Sequence, residues 1–297
     1  TEKVIYDQDR FSAILKSEDG RGIKPPASPM LEGAPEVELE EFLGILTDRS
    51  IEFIQKCVAK KEPFFLYFSP YVPHIPIAPT SKFQGTTQAG AYGDYVANLD
   101  HEIGRVLEAI NEAGIAADTI VVFASDNGSQ FETTGEGHRP NFPASGTKQT
   151  VREGGVRNPM IIRWPGRIGP NQATTQLAAL NDLLPTLSAA AGIPLPEGAA
   201  PDGVNLLPAL WDVEAPPIRS SLIMRSSPGL MALRNGKWKL IAGPGDRRAP
   251  KSEAPISQYQ LYDLEDDPME TKNVARQHPD VVVQLKAELD RIVAADL

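Results

Sequence analysis

Two adjacent oxygen-bearing side chains, Asp126 and Asn127, follow an apolar run in "VVFASDNG". A carboxylate beside an amide carbonyl is a donor set for a hard cation, Ca²⁺ or Mg²⁺; an imidazole at the second position would have pointed to Zn²⁺. The same Asp-Asn-Gly also makes an ordinary turn, and spacing alone leaves both readings open. Further on, Lys148 in "GTKQTVREGG" can present a fixed positive charge to an anion, or be plain solvated surface. His74 lies in "PYVPHIPIAP", where flanking prolines restrict the backbone and could hold an imidazole extended over a site. Its other reading is a surface loop histidine, and His138 in "GEGHRPN" carries the same two. His101, on an amphipathic stretch, and His278, near the chain end, read as structural or solvated. Together these types describe an anion-handling, metal-assisted enzyme, one reading among several at this point.

The elements that must position these residues follow from periodicity. Leu39, Phe42, Leu43, Leu46, Ile54 and Val58 mark a helical face over Leu39 to Lys61, after an irregular stretch reaching about Glu38. "PFFLYFS" (63–69), "TIVVFAS" (119–125) and "MIIRW" (160–164) are short and apolar throughout, as buried strands are. Between the first two, Tyr92, Val96, Leu99, Ile103, Val106, Leu107 and Ile110 predict a helix stopped near Gly114; "LNDLLPTLSAAAG" predicts another ending at Gly192. Strands alternating with helices predict an α/β fold, a largely parallel sheet with helices on both faces. Ligands bind such sheets beyond the strands' carboxyl ends, where the His74 loop and the Asp126-Asn127 loop fall. After about Trp211 the pattern changes to short strands, with a hairpin turn at Asn235-Gly236 and a final helix near 281–295. The expected division is therefore 1–212 for the α/β part and 213–297 for a small antiparallel α+β subdomain.

A net charge of −10 on 297 residues, pI near 5.0, argues against a nucleic-acid partner while leaving room for a local basic pocket. The lone Cys57 excludes an intrachain disulfide framework and a multi-cysteine metal site. No apolar run is long enough to span a bilayer; the nearest, 177–195, is interrupted by Asn181, Asp182 and Pro185. Twenty-seven prolines, roughly twice the average frequency, predict long ordered loops.

Read in order, "LTDRSIEFI", "PFFLYFSPYVPHIPIAP", "YVANLDHEIGRVLEAINEAG", "IVVFASDNG", "GTKQTVREGGVRNPMIIRWPG" and "LYDLEDDPMETKNVA" resemble the type I, formylglycine-dependent sulfatases of the alkaline-phosphatase superfamily, the arylsulfatase-like enzymes. The resemblance runs from about Ile45 onward. It implies an alkaline-phosphatase-like fold and a sulfuric ester hydrolase that cleaves a sulfate monoester with Ca²⁺ assistance, Ca²⁺ in preference to Mg²⁺. It further implies that Asp126 and Asn127 are metal ligands. By the same likeness His74 contacts sulfate and protonates the leaving oxygen, Lys148 binds sulfate oxygens, and His138 shapes the substrate pocket. A sulfated small molecule or glycan is the implied substrate, and a formylglycine-generating enzyme or its anaerobic equivalent the implied partner. Family habit places such enzymes in the periplasm, outside the cell or in lysosome-like compartments.

The chain departs from the family in one respect that bears on chemistry. The formylglycine nucleophile arises from Cys or Ser in a Cys/Ser-x-Pro-x-Arg motif. Cys57 reads Cys-Val-Ala-Lys-Lys and no Ser-x-Pro-x-Arg occurs, so the chain is expected to be a C-terminal fragment, incomplete at its N-terminal side and inactive alone. "NGKWKL" (235–240) resembles the family's Gly-Lys-Trp-His segment but falls where a hairpin is expected. Two other functions stay open: a phosphate or phosphonate monoester hydrolase of the same superfamily, and a non-catalytic sulfated-glycan-binding homologue.

Overall fold

In a computed structural model, which describes residues 38–245 and 255–295, two compact units each carry part of the candidate chemistry. One comprises residues 38–119 with Thr133–His138; the other comprises Ile120–Glu132 with residues 139–245 and 255–295. The irregular stretch expected up to Glu38 lies almost entirely outside the described residues.

The first unit is built on two helices, α1 (Leu39–Lys60) and α2 (Gly90–Glu112). Helix α1 buries Leu39, Leu43, Thr47, Ser50 and Ile54, a stripe at helical spacing. Its two hydroxyls are satisfied within the helix, Thr47 Oγ1 on Leu43 O (3.0 Å) and Ser50 Oγ on Leu46 O (2.8 Å). The helix ends at Lys61, whose backbone turns left-handed (φ 55°) and donates to Val58 O. Leu43, Val72, Tyr95 and Leu99 form the core, with Phe68 and Ile103 against it.

Helix α2 occupies the predicted span, but half of its buried stripe is polar: Asp94, Asn98 and Glu102 lie beside Tyr95, Leu99 and Ile110. Val96, expected on the apolar face, is exposed. The reason is the loop before the helix. Asp94 accepts from the N–H groups of Gly85 (2.8 Å) and Thr87 (2.9 Å), and Asn98 Oδ1 accepts from Thr80 N–H (3.0 Å). A helix that must satisfy a neighbouring loop's backbone presents acceptors to it.

The segment 63–69 differs from expectation. It alternates, with Phe64, Leu66 and Phe68 half-buried and Phe65 and Tyr67 exposed at 73% and 66%. One face packs, as where Phe64 meets Phe53 edge-on at 5.9 Å. The segment has strand periodicity without a ladder partner among the described residues.

In the second unit β1 (Val121–Ala124) pairs with β2 (Met160–Arg163). The pairing is antiparallel, Val121 opposite Arg163 and Ala124 opposite Met160. Between them lies a single helical turn, α3 (Glu153–Val156). Short helices α4 (Leu183–Ala190) and α5 (Leu207–Trp211) follow. Then β3 (Ser221–Arg225), β4 (Met231–Asn235), β5 (Trp238–Ile241) and β6 (Gln260–Asp263) form one antiparallel sheet in sequence order. The α/β class holds, but every strand pair among the described residues is antiparallel, against the expected largely parallel sheet. An apolar run reports burial and carries no information about the partner's direction.

The Asn235-Gly236 hairpin is present, with Gly236 at φ 55° between β4 and β5. Helix α6 (Pro279–Ala295) covers one sheet face, packing Val282, Leu285 and Leu289 on Leu233, Leu240 and Leu261. The other face packs Leu230, Ala232, Ile241 and Tyr262 around Val151, a residue of the Lys148 segment. Burying that one valine contributes about 1.5–3 kcal/mol and ties the segment to the sheet.

Candidate functional site

Asp126, Asn127 and Lys148 belong to one interlocked piece of backbone. Gly128, just after the pair, donates to Gly155 O (3.1 Å). A Cβ on Gly128 would fall 1.8 Å from Gly154 O, so only glycine allows this approach. Lys148 N–H donates to Ser129 O at 3.0 Å, which ties the lysine segment to the loop bearing Asp126 and Asn127. Asn141 completes the frame: its Oδ1 accepts from Ser129 N–H (2.8 Å), and its Nδ2 donates to Ser129 O (3.0 Å) and Gly146 O (3.1 Å).

The polar ends of these side chains are left available. Asn127 Nδ2 donates to Gly128 O (3.1 Å), which leaves Oδ1 as a free acceptor. Asp126 is exposed, and among the described residues its carboxylate has no hydrogen bond or ion pair. These two oxygens fit a hard cation in kind, and supply two of the roughly six to eight that Ca²⁺ takes. The described residues contain no group of three or more His, Cys, Asp or Glu able to hold a metal, so they do not complete a shell. Lys148 is half-buried, and its ammonium likewise has no partner among the described residues. A cation so placed can take an anion without giving up a partner among the described residues.

Sequence reasoning missed what lies beneath this frame. Arg152 Nη1 donates to Glu270 O (2.7 Å) and Nη2 to Gln260 Oε1 (3.1 Å), with the guanidinium 4.8 Å from the Tyr262 ring centre. Burial pushes the Tyr262 hydroxyl up, opposed by the Arg152 charge. Lys239, buried on β5, donates to Glu153 Oε1 at 2.8 Å. A lysine inside "WKLI", a strand whose other positions are apolar or aromatic, was the one signal available.

In the first unit, the His74 backbone turns instead of running extended, its N–H donating to Tyr71 O at 2.9 Å. The peptide bonds before Pro73 and Pro76 are cis. The exposed His74 ring has Nδ1 2.6 Å from its neighbour's carbonyl, Ile75 O. A carbonyl only accepts, so Nδ1 carries the proton, which leaves Nε2 to donate when the ring is charged.

His138 closes a small hairpin with Thr134, bonded N–H to O in both directions at 2.7 and 2.9 Å. Gly135 in that hairpin lies against the start of α2, where a Cβ would come 2.3 Å from Ala89 C. The His138 side chain is exposed and has no hydrogen bond or ion pair among the described residues. His101 sits 3.3 Å from Lys82 Nζ and His278 packs on the Trp238 ring at 5.0 Å, both in the structural or solvated roles expected. Cys57 is a free thiol in α1.

A sequence model of the sulfatase family matches residues 10–193. The chain is 34% identical over 267 residues to an N-acetylgalactosamine-6-O-sulfatase of Bacteroides thetaiotaomicron, covering 85% of this chain and 51% of that protein. It is 39% identical over 166 residues to the Homo sapiens N-acetylgalactosamine-6-sulfatase, covering 56% of this chain and 32% of that one. It thus spans about half the length of the first relative and about a third of the second. A solved sulfatase from the metabolism of multiple glycosaminoglycans by Bacteroides thetaiotaomicron superposes with a TM-score of 0.76 at 31% identity, over 86% of this chain and 55% of that one. With more than half its residues inside the family match, this chain belongs to the sulfatase family.

Proposed function

We propose that the intact protein carrying this chain is a sulfuric ester hydrolase that cleaves sulfate monoesters of a glycan. The observation that carries the reading is Lys148, a half-buried cation without a partner among the described residues. Its segment is hydrogen-bonded to the loop that offers the Asp126 and Asn127 oxygens. An anion with several equivalent oxygens answers the lysine, and a hard cation would answer the two side-chain oxygens. The relatives named for N-acetylgalactosamine 6-sulfate support a sulfated amino sugar as its source.

Each residue's task follows from its surroundings. Lys148 holds a sulfuryl oxygen and stabilises the charge that develops there. His74, with Nδ1 committed to Ile75 O, donates a proton from Nε2 to the departing alkoxide. His138 presents an exposed imidazole from a pinned hairpin to the sugar. Asp126 and Asn127 would hold Ca²⁺, which supplies Lewis-acid polarisation of the sulfuryl group when bound. No residue of this chain fits the formylglycine: Cys57 lies within α1, and no Cys/Ser-x-Pro-x-Arg occurs. The nucleophile therefore belongs to a part of the intact protein outside these residues, matured by a formylglycine-generating enzyme. We further propose that segment 63–69, whose exposed Phe65 and Tyr67 lack a covering layer, enters a largely parallel alkaline-phosphatase-like sheet there. The division at 212/213 marks the start of the C-terminal subdomain.

Turnover of the intact protein on paired sulfate and phosphate monoesters of one sugar is the test. Preference for the sulfate ester is expected. Faster phosphate cleavage selects a phosphomonoesterase, and binding without turnover of either ester selects a sulfated-glycan-binding protein.

A further inference from the structure

The Lys148 segment runs from Ser145 to Glu153, and both of its ends meet one carboxylate. Glu270 Oε2 accepts from Ser145 Oγ (3.2 Å) and from Glu153 N–H (2.7 Å). Glu270 Oε1 lies 3.0 Å from Lys239 Nζ, an ion-pair contact outside hydrogen-bond alignment. Lys239 in turn donates to Glu153 Oε1 at 2.8 Å. Glu153, Lys239 and Glu270 are all buried. Just past the clamped span, Gly154 N–H also closes back on Ser145 O (2.7 Å).

Two features separate this cluster from ordinary packing. Three buried charges are a poor way to gain stability, because desolvation opposes their attraction and apolar residues of equal volume often do as well. What ions and aligned hydrogen bonds add is direction. Backbone geometry points the same way: Gln149, next to Lys148, and Glu270 are non-glycine residues held in the left-handed region, at φ 74° and 54°. Such conformations persist where surrounding structure fixes them, and they concentrate at sites that need exact placement.

We propose that Glu270 and Lys239, supplied by the C-terminal sheet subdomain, are positioning residues for Lys148, setting its ammonium through the two ends of segment 145–153. The subdomain is then a working part of the site. This inference rests on the reading of Lys148 as the sulfate-binding cation.

The test is a double-mutant cycle on kcat/KM for a sulfate ester in the intact protein. Glu270→Gln, nearly isosteric, should lose roughly ten- to hundredfold, the scale of a misplaced catalytic group. In a Lys148→Ala background the same change should cost almost nothing, since the group it positions is gone. A merely structural role lowers both backgrounds by the same factor, and that result overturns the proposal. Ser145→Ala, which removes only one hydrogen bond, repeats the cycle with a smaller loss should Glu270→Gln not fold.

An inert wild type overturns the proposed function, and positioning is then read from amide exchange. Glu270→Gln or Ser145→Ala must speed exchange across 145–153 while β3 and β4 stay protected. Unchanged exchange in that segment rejects the proposal whatever the activity.

Discussion

The segments carrying Lys148 and His74 are held in opposite ways. Lys148 sits on backbone bonded to Ser129, framed by Asn141 and clamped at both ends by Glu270, with Val151 buried in the sheet's second face. His74 sits on an exposed turn, fixed by one backbone bond to Tyr71 and by its ring's contact with the adjacent carbonyl. A fixed cation is useful only if it does not reorganise during reaction, because preorganisation is the source of its effect. A proton donor must instead meet leaving groups of different shape and regain its proton from solvent, so exposure and local anchoring suit it.

The largest effect should separate the two residues by leaving group. His74→Ala is expected to slow esters of weakly acidic alcohols by roughly a hundred- to ten-thousandfold, the usual contribution of a general acid. A nitrophenyl ester, whose anion leaves without a proton, should lose far less. Lys148→Ala should slow both esters alike, by about a hundred- to a thousandfold, because sulfuryl charge must be stabilised whatever departs. Measuring kcat/KM for two esters of different leaving-group pKa decides it. Equal losses for both esters in His74→Ala would reduce that residue to a sulfate contact.

Stability gives the next contrast. Asp182 is fully buried, accepts from Ala179 N–H (2.7 Å) and Val204 N–H (2.9 Å), and pairs with Arg219. Asp182→Ala leaves a nearly buried guanidinium without its carboxylate, keeping only a neutral acceptor, Asp202 O at 3.3 Å, among the described residues, and should cost roughly 3–5 kcal/mol in denaturant unfolding. A loss below about 1 kcal/mol, the worth of a surface pair, would show that water reaches Arg219.

Metal affinity should respond less. Asp126→Ala removes a charge and an oxygen, whereas Asn127→Ala removes a neutral oxygen, so calcium titration should show the greater weakening in Asp126→Ala. Unchanged affinity there takes Asp126 out of the metal shell.

Much of the local structure was legible in the sequence. Helices α1, α2 and α6 and the Asn235-Gly236 hairpin follow from periodicity and turn chemistry, which act within a few residues. Strand direction was not, because "TIVVFAS" and "MIIRW" read the same whichever way they pair. The candidate residues were visible as types, while their supports were not. Glu153, Lys239 and Glu270 meet across long stretches of chain, and a buried ion cluster leaves no periodic trace. The polar stripe of α2 was hidden for a related reason: Asp94 and Asn98 look like solvent-facing residues until the loop they serve is in place.

That loop supplies the smallest effect and the finest test of the contrast. Burial raises the Asp94 carboxyl, but hydrogen bonds from Gly85 and Thr87 outweigh it and hold its pKa below the usual carboxylate value. A carboxylate depressed in the folded state stabilises fully above its unfolded pKa, about 3.9, and the contribution fades as pH falls toward the folded value. Acid should therefore release the Gly85 and Thr87 amides of the unit that carries His74. Their protection, corrected for intrinsic exchange, should fall as pH drops below about 4. In Asp94→Asn the amide oxygen still accepts but cannot titrate, so protection should be lower at neutral pH and flat across the same range. An identical acid-dependent loss in wild type and Asp94→Asn would assign the opening to another group and separate Asp94 from the stability of that loop.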